Sequence, residues 1–242
     1  MLAAVAGAYL LAGAVKGVIG LGLPTVAIGL LGLLMTPAQA AAILIVPSLV
    51  TNIWQSLAGG GVLALLKRLW PLFAGICAGT FVGATLLPNG SSSGATMWLG
   101  VALAFYAALA LINIEFKASQ RAEPWLGLMV GALTGAITVA TGVFAIPMVP
   151  YIQALGLPRD KLVQALGLSF TVSTIALALA LAHAGEMVPA LAWPALAALG
   201  AAALGMAIGQ AVRGRVKEAT FRLFFFLGLL GLGLHLASRG LF

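Results

Sequence analysis

Residues 16–24 read Lys-Gly-Val-Ile-Gly-Leu-Gly-Leu-Pro and interrupt a mostly apolar segment that covers residues 1–36. An unbroken helix of that length would extend about 50 Å, whereas the hydrocarbon core of a bilayer is about 30 Å thick. Glycine and proline weaken or end a helix, through backbone entropy and through the missing N–H of proline. The sequence therefore predicts a broken helical hairpin, in which the chain changes direction between two helical arms.

A second hairpin is predicted over residues 125–157, which are also mostly apolar and too numerous for one span. This segment is interrupted at residues 138–142, and prolines follow at positions 147 and 150. In lipid, non-helical backbone is tolerated only inside the protein or beside an aqueous cavity. We therefore expect the tips of the two hairpins to meet near the middle of the membrane.

The chain as a whole is too poor in charge to be soluble. Hydrophobic residues make up 62% of its 242 residues and charged residues only 7%, whereas soluble domains carry about 25%. This excludes a soluble enzyme, a nucleic-acid-binding protein and a disordered chain. The net charge of +7 is interpreted as loop charge that orients a membrane protein. A single cysteine and the lack of a Cys/His cluster predict no disulfide, metal or other cofactor.

Six further apolar segments have the length of ordinary transmembrane helices, which is about 20 residues. They cover residues 38–58, 70–88, 95–114, 162–184, 188–210 and 221–239. The polar residues 88–94 predict a turn. No basic segment precedes the first apolar run, so we expect no cleaved signal peptide. The fold class predicted is an all-α, polytopic membrane protein.

The order of these elements occurs twice, because each half consists of one broken hairpin and three spans. We predict a first repeat over residues 1–116, a cytoplasmic linker over residues 117–122 and a second repeat over residues 123–242. Basic residues form four clusters, Lys67/Arg68, Lys117/Arg121, Arg159/Lys161 and Arg213/Arg215/Lys217/Arg222. If all four clusters lie in the cytoplasm, each hairpin returns to the side from which it enters. Three full crossings in each half then invert the second repeat and leave both termini outside. Inverted repeats with broken helices are a common transporter architecture.

Two glycine-containing motifs carry a resemblance to a known family. Residues 17–24 read Gly-Val-Ile-Gly-Leu-Gly-Leu-Pro, and residues 135–147 read Gly-Ala-Ile-Thr-Val-Ala-Thr-Gly-Val-Phe-Ala-Ile-Pro. With the two related halves and residues 165–169 (Ala-Leu-Gly-Leu-Ser), they resemble the TauE/SafE family of sulfite and organosulfonate exporters over nearly the whole chain. The resemblance implies a permease for a small sulfur-containing or carboxylated anion.

Lys16 is the most informative single residue. It follows an uncharged N-terminal segment and stands at the first helix break, and an ionisable residue inside a transmembrane segment suggests a functional site. We expect it to attract an anion, although a lysine that extends to the membrane interface is the alternative. Glycines at the break would leave backbone N–H groups free at a helix N-terminus, which favours anions. Close helix packing is the alternative for them.

Polar side chains inside the spans complete the predicted site. Asn52 and Gln55 share one helix face, as do Ser169 and Ser173. Uncharged donors suit an anion that has to bind and then leave, whereas hydrogen bonding between helices is the alternative interpretation. The predicted substrate-binding residues are Lys16, Gly17, Gly20, Gly22, Pro24, Asn52, Gln55, Thr138, Thr141, Gly142, Ser169 and Ser173.

Acidic residues are missing from the middle of every predicted span, so a carboxylate proton relay is not expected. The membrane potential supplies about 2.3 kcal/mol per charge per 100 mV to an anion that leaves a negative interior. These features predict a multi-pass protein of the cell inner membrane that exports a small anion by alternating access at the hairpin tips. An anion channel or facilitator and a structural membrane subunit stay open as alternatives. An enzyme is not expected, because no zinc motif or buried aspartate pair is present. The expected partners are the substrate and the lipid bilayer, without nucleic acid, and a homodimer stays open.

Overall fold

The computed structural model describes residues 1–57, 60–86, 93–112, 119 and 121–239. Regular structure in these ranges is helical, without a β-strand. The α-helices are α1 (Leu2–Ile19), α2 (Leu23–Leu31), α3 (Pro37–Leu57), α4 (Val62–Leu86), α5 (Ser93–Ile112), α6 (Glu123–Thr141), α7 (Met148–Ala154), α8 (Arg159–His183), α9 (Ala192–Val212) and α10 (Glu218–Arg239). Residues 88–92 of the predicted turn and residues 117, 118 and 120 of the predicted linker lie outside the described residues.

The six ordinary spans predicted from the sequence are confirmed as helices α3, α4, α5, α8, α9 and α10. Together with α1 and α6, they give eight helices in the described ranges that are long and apolar enough to cross a membrane. Helix α4 begins at Val62, eight residues before the predicted start at position 70. The reason is that residues 62–66 are apolar and continue the helix beyond the charges of Lys67 and Arg68.

The chain breaks where the glycines predicted it would. Gly20 and Gly22, between α1 and α2, have φ angles of +78° and +102°, and Gly142, after α6, has a φ of +73°. This left-handed region favours glycine because a Cβ atom would clash with the backbone. The two long arms end alike, since Gly20 N–H donates to Lys16 O and Gly142 N–H donates to Thr138 O.

The two arms of each hairpin differ in length. Helix α1 has 18 residues and α6 has 19, so each extends about 27 Å. Their second arms are much shorter, with nine residues in α2 and seven in α7. Helix α2 folds back along α1, because Leu11 and Val15 of α1 line the same groove as Val26 and Leu30 of α2. Each break therefore lies at the end of a helix long enough to cross the membrane.

The expectation that the two tips meet near the middle of the membrane is wrong. Gly20 accepts a hydrogen bond from Gln55, close to the end of α3. A Cβ atom on Gly142 would lie 3.5 Å from Ala41, close to the start of the same helix. These two positions on α3 are about 21 Å apart along the helix axis. The physical reason is that the apolar residues before each break are enough to cross the core, so the break falls at the far end of the long arm.

Helix α1 packs on α9 with its backbone in contact. A Cβ atom on Gly13 would lie 2.2 Å from Ala202 O. A Cβ atom on Gly17 would lie 2.4 Å from Met206 O. The residue number increases on both helices from the first contact to the second, so α1 and α9 run parallel. Small residues allow such close approach between helices in a membrane.

Helix α6 packs on α4 in the same way. A Cβ atom on Gly131 would lie 2.2 Å from Leu72 O. A Cβ atom on Gly135 would lie 2.3 Å from Ile76 O. These helices are also parallel, and in each pair the long arm of one hairpin contacts the fourth helix of the other half.

Helices α3 and α8 cross at the centre and run in opposite directions. Ser48 of α3 contacts Thr174 of α8, with 3.1 Å between their hydroxyl oxygens. Further along α3, Gln55 Nε2 donates to Val163 O over 2.9 Å. The position on α8 decreases as the position on α3 increases, which fixes the antiparallel arrangement.

These helix directions bring most of the described basic residues to one end of the bundle, called here the basic end. It contains the last residues of α1, α3 and α9 and the first residues of α4, α6, α8 and α10. The basic residues at or near this end are Lys67, Arg68, Arg121, Arg159, Lys161, Arg213, Arg215, Lys217 and Arg222. Glu186 and Arg239 lie toward the opposite end.

Candidate substrate-binding site

Lys16 is buried inside the protein, with 4% of its surface exposed. Its Nζ donates a hydrogen bond to Thr51 Oγ1 over 3.1 Å and another to Asn52 Oδ1. Both partners belong to α3, which the long side chain of Lys16 reaches from near the end of α1. The side chain is therefore directed toward α3 and does not extend along the protein surface, and two predicted residues, Lys16 and Asn52, are in direct contact.

Within the described part of the chain, the buried ammonium group of Lys16 has no counter-charge. Among the residues that the structure describes, no carboxylate contacts Lys16 Nζ, and both of its acceptors are neutral oxygens. A buried charge is costly unless it is paired and hydrogen-bonded. The arrangement can therefore stabilise an anion, which would supply the missing negative charge.

A chain of hydrogen bonds extends from Lys16 across three helices. Asn52 Nδ2 donates to Ser48 Oγ over 2.9 Å, and Ser48 Oγ lies 3.1 Å from Thr174 Oγ1 on α8. Thr51, Asn52, Ser48 and Thr174 are all buried. We call these four residues and Lys16 the Lys16 cluster.

Three members of the Lys16 cluster were not among the predicted site residues. Ser48, Thr51 and Thr174 are hydroxyl residues, and a serine or threonine in a helix can bond to a carbonyl of its own backbone. Thr51 and Thr174 do make such bonds, to Pro47 O over 2.7 Å and to Phe170 O over 2.6 Å. The signal that could have identified Ser48 is its position four residues before Asn52, on the same helix face.

Gln55 lies one turn closer to the basic end than Asn52. Its Nε2 donates to Gly20 O over 3.2 Å and to Val163 O over 2.9 Å, so both of its N–H groups are used by backbone carbonyls. Its Oε1 is buried without a hydrogen-bond partner. Gln55 therefore joins the end of α1 to α8, and only its carbonyl oxygen is free for a ligand.

The predicted serines both lie on α8, the helix that crosses α3. Ser169 Oγ donates to Ala165 O over 2.8 Å, within its own helix. Ser173 Oγ is buried without a partner, and it precedes Thr174 of the Lys16 cluster. Ser173 therefore offers a free hydroxyl group, whereas Ser169 has its hydrogen engaged.

The residues of the first glycine motif have separate surroundings. Gly17 faces α9, so its small size serves close packing. A Cβ atom on Gly22 would lie 3.1 Å from Val15 and 3.3 Å from Phe225, which are apolar neighbours. Pro24 is buried in the first turn of α2. Gly20 contributes its carbonyl to Gln55.

The predicted residues of the second break lie toward the opposite end of α3 and are not brought together with Lys16. Thr138 Oγ1 donates to Thr134 O, and Thr141 Oγ1 donates to Ile137 O, each over 2.7 Å. Gly142 packs against the side chain of Ile28 in α2. The distance follows from the length of α6, which crosses before it breaks.

A narrow cleft with a volume of about 50 Å³ opens at this opposite end, between α3, α6 and α8. Ala41, Thr138, Gly142 and Leu177 are among its lining residues, and Glu186 is the one charged residue among those described around it. The volume is sufficient for a few water molecules. We call it the opposite-end cleft.

Eight span-length helices, two broken hairpins and a buried polar cluster define a multi-pass membrane protein of the transporter class. The family model described as Sulfite exporter TauE/SafE matches residues 5–236, which is nearly the whole chain. The chain therefore belongs to the TauE/SafE family of sulfite exporters, and the family predicted from its glycine motifs is confirmed. No curated protein and no solved structure matches the chain. The family consists of transporters, which agrees with the prediction of a permease and not an enzyme.

Proposed function

We propose that this chain is an inner-membrane permease that exports a small organic or sulfur-containing anion of the sulfite, sulfonate or carboxylate type, by alternating access. Membership of the TauE/SafE family supports the class of cargo. The observation that carries the proposal is the buried Lys16, whose partners among the described residues are the neutral oxygens of Thr51 and Asn52.

An anion beside Lys16 Nζ would form a charge-assisted hydrogen bond in a site with little competing water. Asn52 and Ser48 belong to one hydrogen-bonded chain with Lys16, so they lie close to an anion bound at Nζ. Their N–H and O–H groups can then turn toward the other oxygens of that anion. A single positive charge surrounded by neutral groups binds an anion and still allows its release.

We propose further that the basic end faces the cytoplasm and that residues 1–116 and 123–242 are inverted repeats. The distribution of lysine and arginine supports the orientation. Two similarities between the halves support the inverted repeats. Gly17 packs on α9 as Gly135 packs on α4, and Gly20 and Gly142 end their helices with the same backbone hydrogen bond. In this orientation an anion moves outward with the membrane potential, which supplies about 2.3 kcal/mol per charge per 100 mV.

The proposal is tested by anion flux into proteoliposomes with radiolabelled sulfite, taurine, sulfoacetate and acetate. We expect saturable flux of at least one anion, its loss in Lys16→Met, and partial retention in Lys16→Arg, which keeps the charge. Lys67→Met is the matched control, because Lys67 is an exposed lysine at the basic end. Wild-type flux in Lys16→Met would contradict the role of Lys16.

The same assay separates the alternatives. Flux that increases linearly with anion concentration and lacks counterflow indicates a channel or facilitator. Absence of flux for every anion of these classes indicates a structural subunit.

A further inference from the structure

Helices α3 and α8 are fastened to each other at the basic end by side chains. Gln55 Nε2 on α3 donates to Val163 O on α8 over 2.9 Å, and Gln164 Nε2 on α8 donates to Ser56 O on α3 over 2.8 Å. These two amides bridge the helix pair in opposite directions. We call Gln55 and Gln164, with their carbonyl partners, the amide latch.

The amide latch has additional connections around it. Lys161 Nζ, at the start of α8, donates to Gly60 O in the connection between α3 and α4. Gln55 also holds Gly20 O at the end of α1. Gln55 therefore connects the first helix break to the contact between α3 and α8 at this end.

The same two helices lack such bridges toward the opposite end. In the described parts of α3 and α8, no side-chain hydrogen bond joins them beyond the pair Ser48–Thr174. The opposite-end cleft lies there, lined by Ala38 and Ala41 of α3 and by Leu177 of α8. The pair of helices α3 and α8 is thus joined by polar side chains at the basic end, and it is apolar and partly open at the opposite end.

The two halves of the sequence account for this difference. When Pro37 is aligned with Pro158, Gln55 corresponds to Ala176. Gln55 connects the first break to the neighbouring half, but an alanine has no group that could hold Gly142 in the same way. A structure with two equal repeats would have a latch at both ends, whereas the described residues form one only at the basic end.

We infer that the amide latch is the cytoplasmic gate of the transporter and that the described conformation is closed at the basic end and open at the other. The inference rests on the proposed alternating access. Gln55 lies about one helical turn beyond Asn52, so the latch separates the Lys16 cluster from the basic end. Opening toward the cytoplasm requires both amides to leave their carbonyls.

The test is the accessibility of a cysteine in the opposite-end cleft. Cys77→Ala removes the only native cysteine, and Ala180→Cys places a thiol on α8 at the half-buried edge of the cleft. A membrane-impermeant maleimide is applied to right-side-out and inside-out vesicles. We expect labelling from the extracellular side, and a labelling rate at least about twofold lower when Gln55→Leu and Gln164→Leu are added, since the population shifts to the inward-open state.

Gln153→Leu is the matched control, because Gln153 is an exposed glutamine on the short helix α7, and it should not change the rate. An unchanged or higher rate in the double variant overturns the gate. If the double variant is not recovered as a monodisperse protein, Gln164→Met alone makes the same comparison. Labelling from the cytoplasmic side only would contradict the proposed orientation. The assay uses no substrate, so a failure of the anion-flux test does not affect its outcome.

Discussion

Ser48 and Thr174 place their hydroxyl oxygens 3.1 Å apart at the point where α3 and α8 cross. This contact is one of the hydrogen bonds that join the two halves of the chain, and it lies in the middle of two antiparallel helices. Ser48 is also the acceptor for Asn52, whose Oδ1 receives the Lys16 ammonium group. The crossing point of the bundle and the buried cation are thus parts of one hydrogen-bonded structure.

Asn52→Asp should supply Lys16 with a permanent counter-charge. We expect loss of at least about tenfold in anion flux, because a carboxylate at this position competes with the substrate for the ammonium group. The unfolding temperature should stay the same or increase, since the buried charge becomes paired. Flux assays and thermal unfolding in detergent measure the two effects.

Asn52→Leu is the comparison that separates charge from structure. It removes one of the two acceptors of Lys16 and the donor to Ser48. The free energy of unfolding should decrease by about 1–3 kcal/mol, because buried polar groups lose a partner. Wild-type flux in Asn52→Asp would show that the anion does not bind beside Lys16.

Gly205→Ala should destabilise the contact between α9 and α1. Its added Cβ would lie 2.1 Å from Leu10 O, and backbone cannot move away as a flexible side chain can. The expected cost is about 1–3 kcal/mol, as for other overpacked sites. Gly200→Ala, on the same helix, meets nothing within 4 Å and should stabilise the protein by about 0.5–1 kcal/mol. Equal unfolding temperatures for the two variants would contradict backbone contact between these helices.

Glu186→Gln should increase the rate at which an anion enters the opposite-end cleft. Glu186 is the charged residue among the described lining residues, so it repels an approaching anion. We expect the entry rate from that side to increase about twofold at low ionic strength, and the difference to vanish in high salt because the charge is screened. Asp160→Asn, at the basic end, is the control. A difference that persists at high salt would point to a direct contact with the substrate.

Arg68 and Glu123 should show measurable coupling in a double-mutant cycle. Arg68 donates to Glu123 from Nε over 2.6 Å and from Nη2 over 2.9 Å. Tyr151 of α7 also donates to Glu123 O, so this pair connects both arms of the second hairpin to α4. Because Arg68 is more than one-third exposed, the expected coupling is only about 1 kcal/mol. The free energies of unfolding of Arg68→Ala, Glu123→Ala and the double variant test it, and additive values would show no coupling.

The helices and their breaks could be predicted from the sequence because they depend on local chemistry. Charge-free segments determined the spans, and the glycines at Gly20 and Gly142 determined the breaks. Lys16 and Asn52 could be proposed as members of one site because both are polar residues in apolar surroundings.

The relation between distant segments could not be predicted in the same way. The separation of the two tips depends on the end of α3 that each long arm reaches, with Gly20 at Gln55 and Gly142 near Ala41, and no single segment encodes these contacts. For the same reason the sequence leaves two interpretations open for Gly17, a ligand or close helix packing, and its contact with α9 is visible only in the folded chain. The amide group of a glutamine can donate equally well to a ligand or to a backbone carbonyl. The hydrogen bonds from Gln55 to Gly20 O and Val163 O are therefore visible only in the folded chain.

The parallel contact of α1 with α9 has a consequence for the order of synthesis. Helix α1 leaves the ribosome before α9, and the helix that covers its glycine face begins only at Ala192. Lys16, in contrast, can meet Thr51 and Asn52 as soon as α3 has been inserted. The nascent chain can therefore bury the Lys16 ammonium group early, whereas the glycine face of α1 stays in lipid until α9 has been inserted.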